Sequence, residues 1–387
     1  MKHITDSVHG GILIEDQFIL DLIKTKEFKR LSRISHLGTT YMLYPMATHK
    51  RSEHSLGVYE LARRALEKLK PEITQTTRRA ILSAALLHDT GHGPLSHSFE
   101  KVSPVPHEEY TTRIMSGDSE VSEVYAKYDS ESQKQAIQIL EGKHELQWAN
   151  QLISSELDVD RLDYLMRDSM NAGVNYGFVD INWLFKHIKI HEGELVWGEK
   201  ALPAIEQMIL ARYQMGQSVY RSENSNAYNQ LYIYFVNRLR YLKNKDLLKG
   251  DYDLFTPIIE DRKLTVSEFY QNDDITFIAA VKKAMLEEED ELIKKIAKMF
   301  IEEKKPNIIK NPTTEYISEL NQEEKGMSWS VVSLEKDIRT HKAQDKSEAK
   351  IITEDNTVIP VTKASSIFAN IAKSNEEIKK KTIVVEI

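Results

Sequence analysis

Apolar residues recur at three- and four-residue intervals along most of the chain, the spacing of amphipathic helices. The stretch "DQFILDLIKTKEFKRLSRI" places Phe18, Leu22, Phe28 and Leu31 at helical intervals. "SLGVYELARRALEKL" is amphipathic and stops at "KPE", and Ala80 to Leu87 in "TRRAILSAALLHD" is apolar almost all round. A helix with no polar face belongs at the centre of a domain. Helical spacing returns at 147–170, 181–189, 203–219, 225–245 and 276–303. Two regions break the pattern. Residues 3 to 14 alternate weakly around "HGG", which predicts a short β-hairpin ahead of the first helix. The tail turns to strand signals in "SWSVVSLEK", "KIITEDNTVIPVTK" and "KTIVVEI", with a helical stretch at "SSIFANIAKS". The reading is a mainly α fold: a helical body over residues 1–304, opened by the hairpin and followed by a small C-terminal α/β subdomain over 305–387. Charged linkers are expected around 303–312 and 340–350.

Composition narrows what this body does. The 387 residues would allow two or three domains by length alone, and the 41% hydrophobic and 29% charged fractions are those of an ordinary globular chain. No apolar run is long enough to cross a bilayer, and the N-terminus lacks a signal peptide's basic head and apolar middle, so a cytoplasmic address and no membrane partner are expected. The chain has no cysteine, which removes disulfides, thiolate catalysis and Cys-held zinc. Any metal must therefore sit on nitrogen and oxygen. A net charge of −7 argues against a broad nucleic-acid face and leaves room only for a local basic pocket.

The histidines then stand out. Of 13, six fall at His49, His54, His88, His92, His97 and His107. His49 by itself reads as an ordinary packed histidine. His88 and Asp89 close the most apolar helix, where an unpaired imidazole and carboxylate would be costly. A metal ion satisfies both, since neutral imidazole and carboxylate are natural nitrogen and oxygen ligands. Neighbouring helix residues point about 100° apart, so both reach one ion only near a helix end, and "TGHGP" supplies that end. His54, at the start of "EHSLGVYELARR", is a third candidate ligand. A fourth should be a carboxylate, and "SSELDVDRLDYLMRDSMNAG" supplies several. On a helix, Asp160, Arg161, Tyr164 and Asp168 share an arc of about 100°. That face suits a sugar- and phosphate-binding wall, and equally a solvated face of i,i+3 and i,i+4 pairs.

These residues carry a family resemblance. "RSEHSLGVYELA", "LLHDTGHGPLSHSFE", "HEE" and "LDVDRLDYLMRD" are similar, in order, to the blocks of the HD-domain deoxynucleoside triphosphate triphosphohydrolases, over at least residues 5 to 180 and more weakly to about 245. The resemblance implies an HD-domain helical bundle with its HD core at about 48–170. It implies one divalent metal ion (Mg²⁺, Mn²⁺, Fe²⁺, Co²⁺ or Ni²⁺) on His54, His88, Asp89 and Asp160. His92 and His107 correspond to catalytic histidines near the α-phosphate. Glu100 corresponds to the acidic residue that orients one of them, and His97 to a proton donor for the leaving oxygen. Arg51 and Arg161 correspond to phosphate clamps, Arg161 standing where well-known relatives have lysine. Tyr164 and Asp168 would line the deoxyribose, together with His36 and Leu37. Further contacts are expected from Arg212, Tyr213, Tyr220 or Arg221, among which the alignment does not choose. Relatives also imply a homo-dimer or homo-tetramer.

Two departures qualify the match. His36 stands where relatives have the glutamine of "KQLG", which puts sugar selection at that position in doubt. Lys24, Lys29 and Ser32 stand where nucleotide-activated members carry Asp, Gln and Arg. Lysine cannot accept from a guanine edge and serine lacks the guanidinium fork, so a GTP-type activator site is expected to be absent or altered. The expected activity is hydrolysis of a dNTP or related nucleotide by water attack on the α-phosphorus. The alternatives are HD chemistry on another phosphoester, as a nucleotidase or phosphodiesterase, and a non-catalytic nucleotide-binding regulator.

Overall fold

The computed structural model describes residues 1–334, 348–374 and 381–387. The chain opens with an antiparallel hairpin, β1 (Lys2–Asp6) and β2 (Gly10–Ile14), in which Asp6 faces Gly10. The first amphipathic stretch is one helix on paper and two in space. Helix α1 (Gln17–Lys24) stops at Thr25, whose hydroxyl donates to Leu22 O at 2.7 Å and accepts from Phe28 N at 3.3 Å. One side chain ends a helix and caps the next, and Phe18, Leu22, Phe28 and Leu31 all reach the core.

Three helices frame the centre. Helix α2 (Arg51–Leu69) ends at Lys70 in the left-handed conformation, φ 44°. Helix α3 (Gln75–Leu87) is capped by Thr74 and is buried from Ala80 to Leu87, as its apolar sequence demands. After helices α4 (His107–Ser116) and α5 (Ser130–Leu140) comes α6 (Val159–Ala172). The Asp158 carboxylate caps α6 by accepting from Arg161 N at 2.8 Å, a contact of the kind worth about 1 kcal/mol. Gly173 closes the helix at φ 69°. Packing of α6 on α2 requires Gly57, because a Cβ there would stand 1.8 Å from Asp163 Oδ1.

Beyond α6 the structure corrects several predicted helices. The 147–170 pattern is interrupted between Ile153 and Val159. The 181–189 pattern gives one turn and a half, Ile181–Lys186, and then a strand, β3 (Ile188–His191), paired with β4 (Glu194–Gly198). Its apolar residues face the core from both conformations, and periodicity over so few residues does not separate them. Helices α7 (Leu202–Met215) and α8 (Glu223–Asn244) follow. The 276–303 stretch divides into α9 (Asp274–Glu287) and α10 (Glu291–Ile301), the second capped by Asp290.

The tail contributes to two sheets. Strands β5 (Asn307–Lys310) and β6 (Trp329–Leu334) flank β9 (Lys381–Glu386), and this sheet is held to α8 by Tyr234, whose hydroxyl donates to Val385 O at 2.7 Å. Strands β7 (Lys350–Ile352) and β8 (Val358–Pro360) instead extend the β3–β4 hairpin, β7 lying parallel to β4. The helix expected at "SSIFANIAKS" is Ser366–Ser374. Most of the linker expected at 340–350 lies outside the described residues.

One long-range contact shapes the two loops that enter the centre from opposite sides. Asp274, buried at the start of α9, accepts from Leu95 N at 2.8 Å and from Ser35 N at 2.6 Å. Leu95 and Ser96 both sit at φ 56°, a costly conformation for side-chain-bearing residues that needs such support. In Asp274→Asn a side-chain NH₂ replaces one acceptor and faces a backbone N–H. Urea unfolding of this variant is expected to show a loss of about 1–3 kcal/mol, whereas an unchanged midpoint would mean that the loops hold themselves.

Candidate active site

The centre is built where α2, α3 and α6 converge. His54 sits in the first turns of α2, His88 and Asp89 at the end of α3, and Asp160 in the first turn of α6. His54 Nε2 lies 3.2 Å from His88 Nε2 and 3.0 Å from Asp160 Oδ1. His88 Nε2 lies 3.3 Å from Asp89 Oδ1 and 3.6 Å from Asp160 Oδ1. The far nitrogens decide what this cluster can hold. His54 Nδ1 donates to Asp163 Oδ2 at 2.7 Å, and His88 Nδ1 donates to the Ala85 carbonyl at 2.9 Å. With the proton on Nδ1, each neutral ring turns a bare Nε2 lone pair toward the other. Two such acceptors cannot rest 3.2 Å apart beside two carboxylates without a cation between them. The donor set therefore fits a divalent metal ion, whose bonds of about 2.1 Å hold neighbouring ligand atoms about 3 Å apart.

Electrostatics lead to the same requirement. Burial works to lower the pKa of His54, but hydrogen bonds to Asp160 and Asp163 and the charge of Asp89 outweigh it and push it up to about 10. His88 is raised as well, against its burial, by Asp89 and Asp160. Burial opposes the charge of Asp89 and Asp160, yet their cationic neighbours hold both carboxyls well below the usual range. Without a metal, protons occupy the place that the metal would take.

A second histidine group adjoins the first. Gly91 lets the chain pass close to the start of α4, since a Cβ there would meet His107 O at 2.0 Å. His92 and His107 consequently stack, with ring centroids 3.9 Å apart. Glu100 Oε1 lies 2.7 Å from His107 Nδ1, 3.2 Å from His97 Nδ1 and 3.5 Å from His92 Nδ1. Burial disfavours the Glu100 charge, but the close imidazoles of His107 and His97 hold its carboxyl far below the usual range. Burial, Arg51 and His107 keep His92 neutral. His97 differs from its neighbours, with 70% of its side chain exposed at the mouth of the site.

The third wall comes from α6 and the loop before α2. Asp168 accepts from Tyr220 at 2.8 Å, and its other oxygen lies 2.8 Å from His49 Nε2 and 3.4 Å from His36 Nε2. His36, His49 and Asp168 are close enough to suggest a second metal site. The outer nitrogens argue against it. Metal-bound histidines anchor their other N–H, and among the described residues the buried Nδ1 atoms of His36 and His49 have no hydrogen-bond partner. These rings form a hydrogen-bonding wall. Arg161 is positioned by Ser155 O at 2.9 Å and reaches Tyr164 Oη at 3.3 Å. Arg51 is fixed by Ser96 Oγ at 2.8 Å and by an ion pair with Asp89.

These walls enclose a cavity of about 440 Å³, the size of an ordinary small-molecule site. All fourteen side chains given a definite role above border it except His88, Glu100 and Arg161, which touch lining residues: His88 meets His54 and Asp89, Glu100 meets His97 and His107, and Arg161 meets Tyr164. Among the four left open, Tyr220 lines the cavity and Arg212, Tyr213 and Arg221 do not, although the half-buried Arg212 lies close enough to Arg161 to feel its charge. Lys24, Lys29 and Ser32 are on the surface, where Lys24 pairs with Asp21 and the Ser32 hydroxyl donates to Lys29 O. Sequence reasoning missed His49 as the partner of Asp168. It also missed Asn229, which accepts from Ser98 at 2.8 Å and Thr39 at 2.7 Å on the cavity wall. Asp163, behind His54, was missed too. Only a fold brings such distant positions together, and no spacing marks them.

The raised histidine pKa values give metal binding a direction with pH. Because metal must displace protons from the His54–His88 pair, affinity should fall as pH drops from 9 to 6, by up to about tenfold per unit for each proton released. Calorimetric titration with Mn²⁺ in buffers of different ionisation enthalpy checks this through the number of protons released. A pH-independent affinity would contradict the proton-for-metal exchange.

Comparison with known proteins agrees with this geometry. Residues 51–168 match the HD domain model. The protein YwfO of Bacillus subtilis (strain 168) is 36% identical over 303 residues, covering 78% of this chain and 70% of that protein. A Dictyostelium discoideum protein named deoxynucleoside triphosphate triphosphohydrolase SAMHD1 homolog is 30% identical over 240 residues, covering 57% of this chain and 46% of its own length. The crystal structure of a phosphohydrolase from Bacteroides thetaiotaomicron superposes with a TM-score of 0.87 at 26% identity, covering 100% of this chain and 99% of that one. With a histidine–aspartate centre fit for a metal and relatives matched well beyond it, the chain belongs to the HD-domain metal-dependent phosphohydrolases, in the family related to the deoxynucleoside triphosphate triphosphohydrolases.

Proposed function

We propose that the protein hydrolyses deoxynucleoside triphosphates to deoxynucleoside and inorganic triphosphate. The observation that carries this reading is the junction, in one cavity, of a metal-fit centre, a stacked histidine pair and a wall of hydroxyl-binding groups. His54, His88, Asp89 and Asp160 would hold one divalent ion. When bound, such an ion supplies Lewis acidity toward a phosphoryl oxygen and lowers the pKa of water. The remaining work falls to side chains. Arg51 and Arg161 bind phosphate oxygens as planar, permanently charged donors. His92 and His107 flank the α-phosphate: His92, held neutral, gives or accepts a hydrogen bond there, while His107, oriented by Glu100, takes the proton of the attacking water. Water attacks the α-phosphorus, the bond from phosphorus to the 5′ oxygen breaks, and that oxygen leaves with a proton from His97. Glu100 orients the imidazoles around it. Asp168 accepts from the 3′-hydroxyl, and Tyr164, Leu37 and His36 pack around the sugar. Two cationic clamps favour a polyphosphate over a monophosphate.

The test is product analysis on metal-reconstituted protein, with each dNTP and NTP supplied separately. Deoxynucleoside and intact triphosphate are expected. His88→Ala/Asp89→Ala should lose more than the roughly 100-fold typical of removing a group behind a metal ligand. Orthophosphate released from monophosphates alone would replace this reading with a nucleotidase. Tight nucleotide binding without turnover, under any metal, would replace it with a regulatory binding protein.

A further inference from the structure

The N-terminal hairpin lies at the surface, and β1 is largely exposed, yet Asp6 and His9 at its turn point their side chains inward. His9 is 2% exposed at the side chain and its Nε2 donates to Asp163 Oδ1 at 2.6 Å. Asp163 is completely buried and takes four hydrogen bonds. Oδ1 accepts from His9 and from Arg167 Nη2 at 2.8 Å, while Oδ2 accepts from His54 Nδ1 at 2.7 Å and from Arg167 Nε at 2.9 Å. The other edge of the Arg167 guanidinium turns back to the hairpin, donating to Asp6 Oδ2 at 2.9 Å and Oδ1 at 3.3 Å. Asp6 Oδ1 also accepts from the backbone of Val8 at 2.9 Å and of His9 at 2.8 Å, so the carboxylate that anchors Arg167 also shapes the turn that presents His9. Gly57 makes room for this cluster.

We propose that the hairpin turn is a working part of the metal centre: Asp6 and His9, acting through Arg167 and Asp163, hold the tautomer and bearing of His54 and thereby set the affinity for the divalent ion. The inference rests on the metal-binding reading of the His54 site. A carboxylate behind a metal-ligating histidine keeps the proton on the outer nitrogen and the lone pair on the inner one. It does so only if it cannot rotate. Four hydrogen bonds, one on each available lone pair, leave Asp163 no second orientation, and two of its three donor residues, His9 and Arg167, are fixed by the turn. Burial disfavours the Asp163 charge, but Arg167, His54 and His9 outweigh it and keep the carboxyl ionised. Asp6, His9, Asp163 and Arg167 are positioning residues. None of them borders the cavity.

The test is titration of the full-length, metal-free protein with Co²⁺, read both by calorimetry and by the visible spectrum of the bound ion. His9→Ala and Asp6→Asn are each expected to weaken Co²⁺ about 10- to 100-fold and to change the spectrum, with a small change in substrate KM at saturating metal. His9→Gln should recover most of the affinity, because its amide N–H can reach Asp163 as the imidazole does, whereas the shorter His9→Asn should not. His3→Ala, on the same hairpin but exposed, should bind as wild type does. Wild-type affinity in both His9→Ala and Asp6→Asn would overturn the inference. If those two variants do not fold, equal affinities of His9→Gln and His9→Asn would overturn it in their place. The metal reading fails separately, if the wild-type protein takes up no Co²⁺ or if Asp160→Ala leaves uptake unchanged.

Discussion

Two imidazole nitrogens held 3.2 Å apart among carboxylates cannot be stable without a cation, and the architecture of the centre is arranged around that requirement. Each ring is locked from behind by an acceptor-only group, Asp163 for His54 and the Ala85 carbonyl for His88. His54 is buried and His88 mostly so, which strengthens the charge interactions in the cluster. The protein thus stores electrostatic demand at one point and keeps it from relaxing. Proton or metal ion meets that demand, and the competition between them follows from the same contacts.

Close packing makes the convergence possible. Gly57 lets α6 approach α2 so that Asp163 can stand behind His54, and Gly91 lets the start of α4 press against the turn after α3 so that His107 stacks on His92. The strained backbone at Leu95 and Ser96 is held from outside by Asp274, and Ser96 in turn fixes Arg51. Contacts behind the cavity wall therefore set the geometry inside it. The supports of the site are themselves hydrogen-bonded, and Asp163, Ser96 and Asp274 among them are buried.

The histidines divide by what lies behind them. His54 and His88 have anchored outer nitrogens and bare inner ones, the arrangement of metal ligands. His92 and His107 stack and share Glu100, which suits groups that exchange protons. His36 and His49 meet Asp168 with their inner nitrogens and have no outer partner among the described residues, which suits a polar wall. One residue type supplies three chemistries according to its second neighbour.

Much of this was legible in the chain itself. Helical periodicity, the apolar run ending at His88-Asp89 and the weak alternation around "HGG" determined the mainly α body, the hairpin and where nitrogen and oxygen donors fit for a metal would gather, because burial and local hydrogen bonding act over a few residues. The ordered blocks determined which side chains to watch, and most of them border one cavity. Short segments were less legible: Ile188–His191 is a strand because β4 pairs with it, and Thr25 splits a continuous periodicity by capping in both directions. Tertiary structure alone decided that Asp6 and His9 stand behind Asp163, that His49 supports Asp168, and that Tyr220 reaches the cavity while Tyr213 does not. Those pairings join positions up to 161 residues apart, whose contact is fixed by helix packing angles and by glycines that permit close approach, and no local spacing records either.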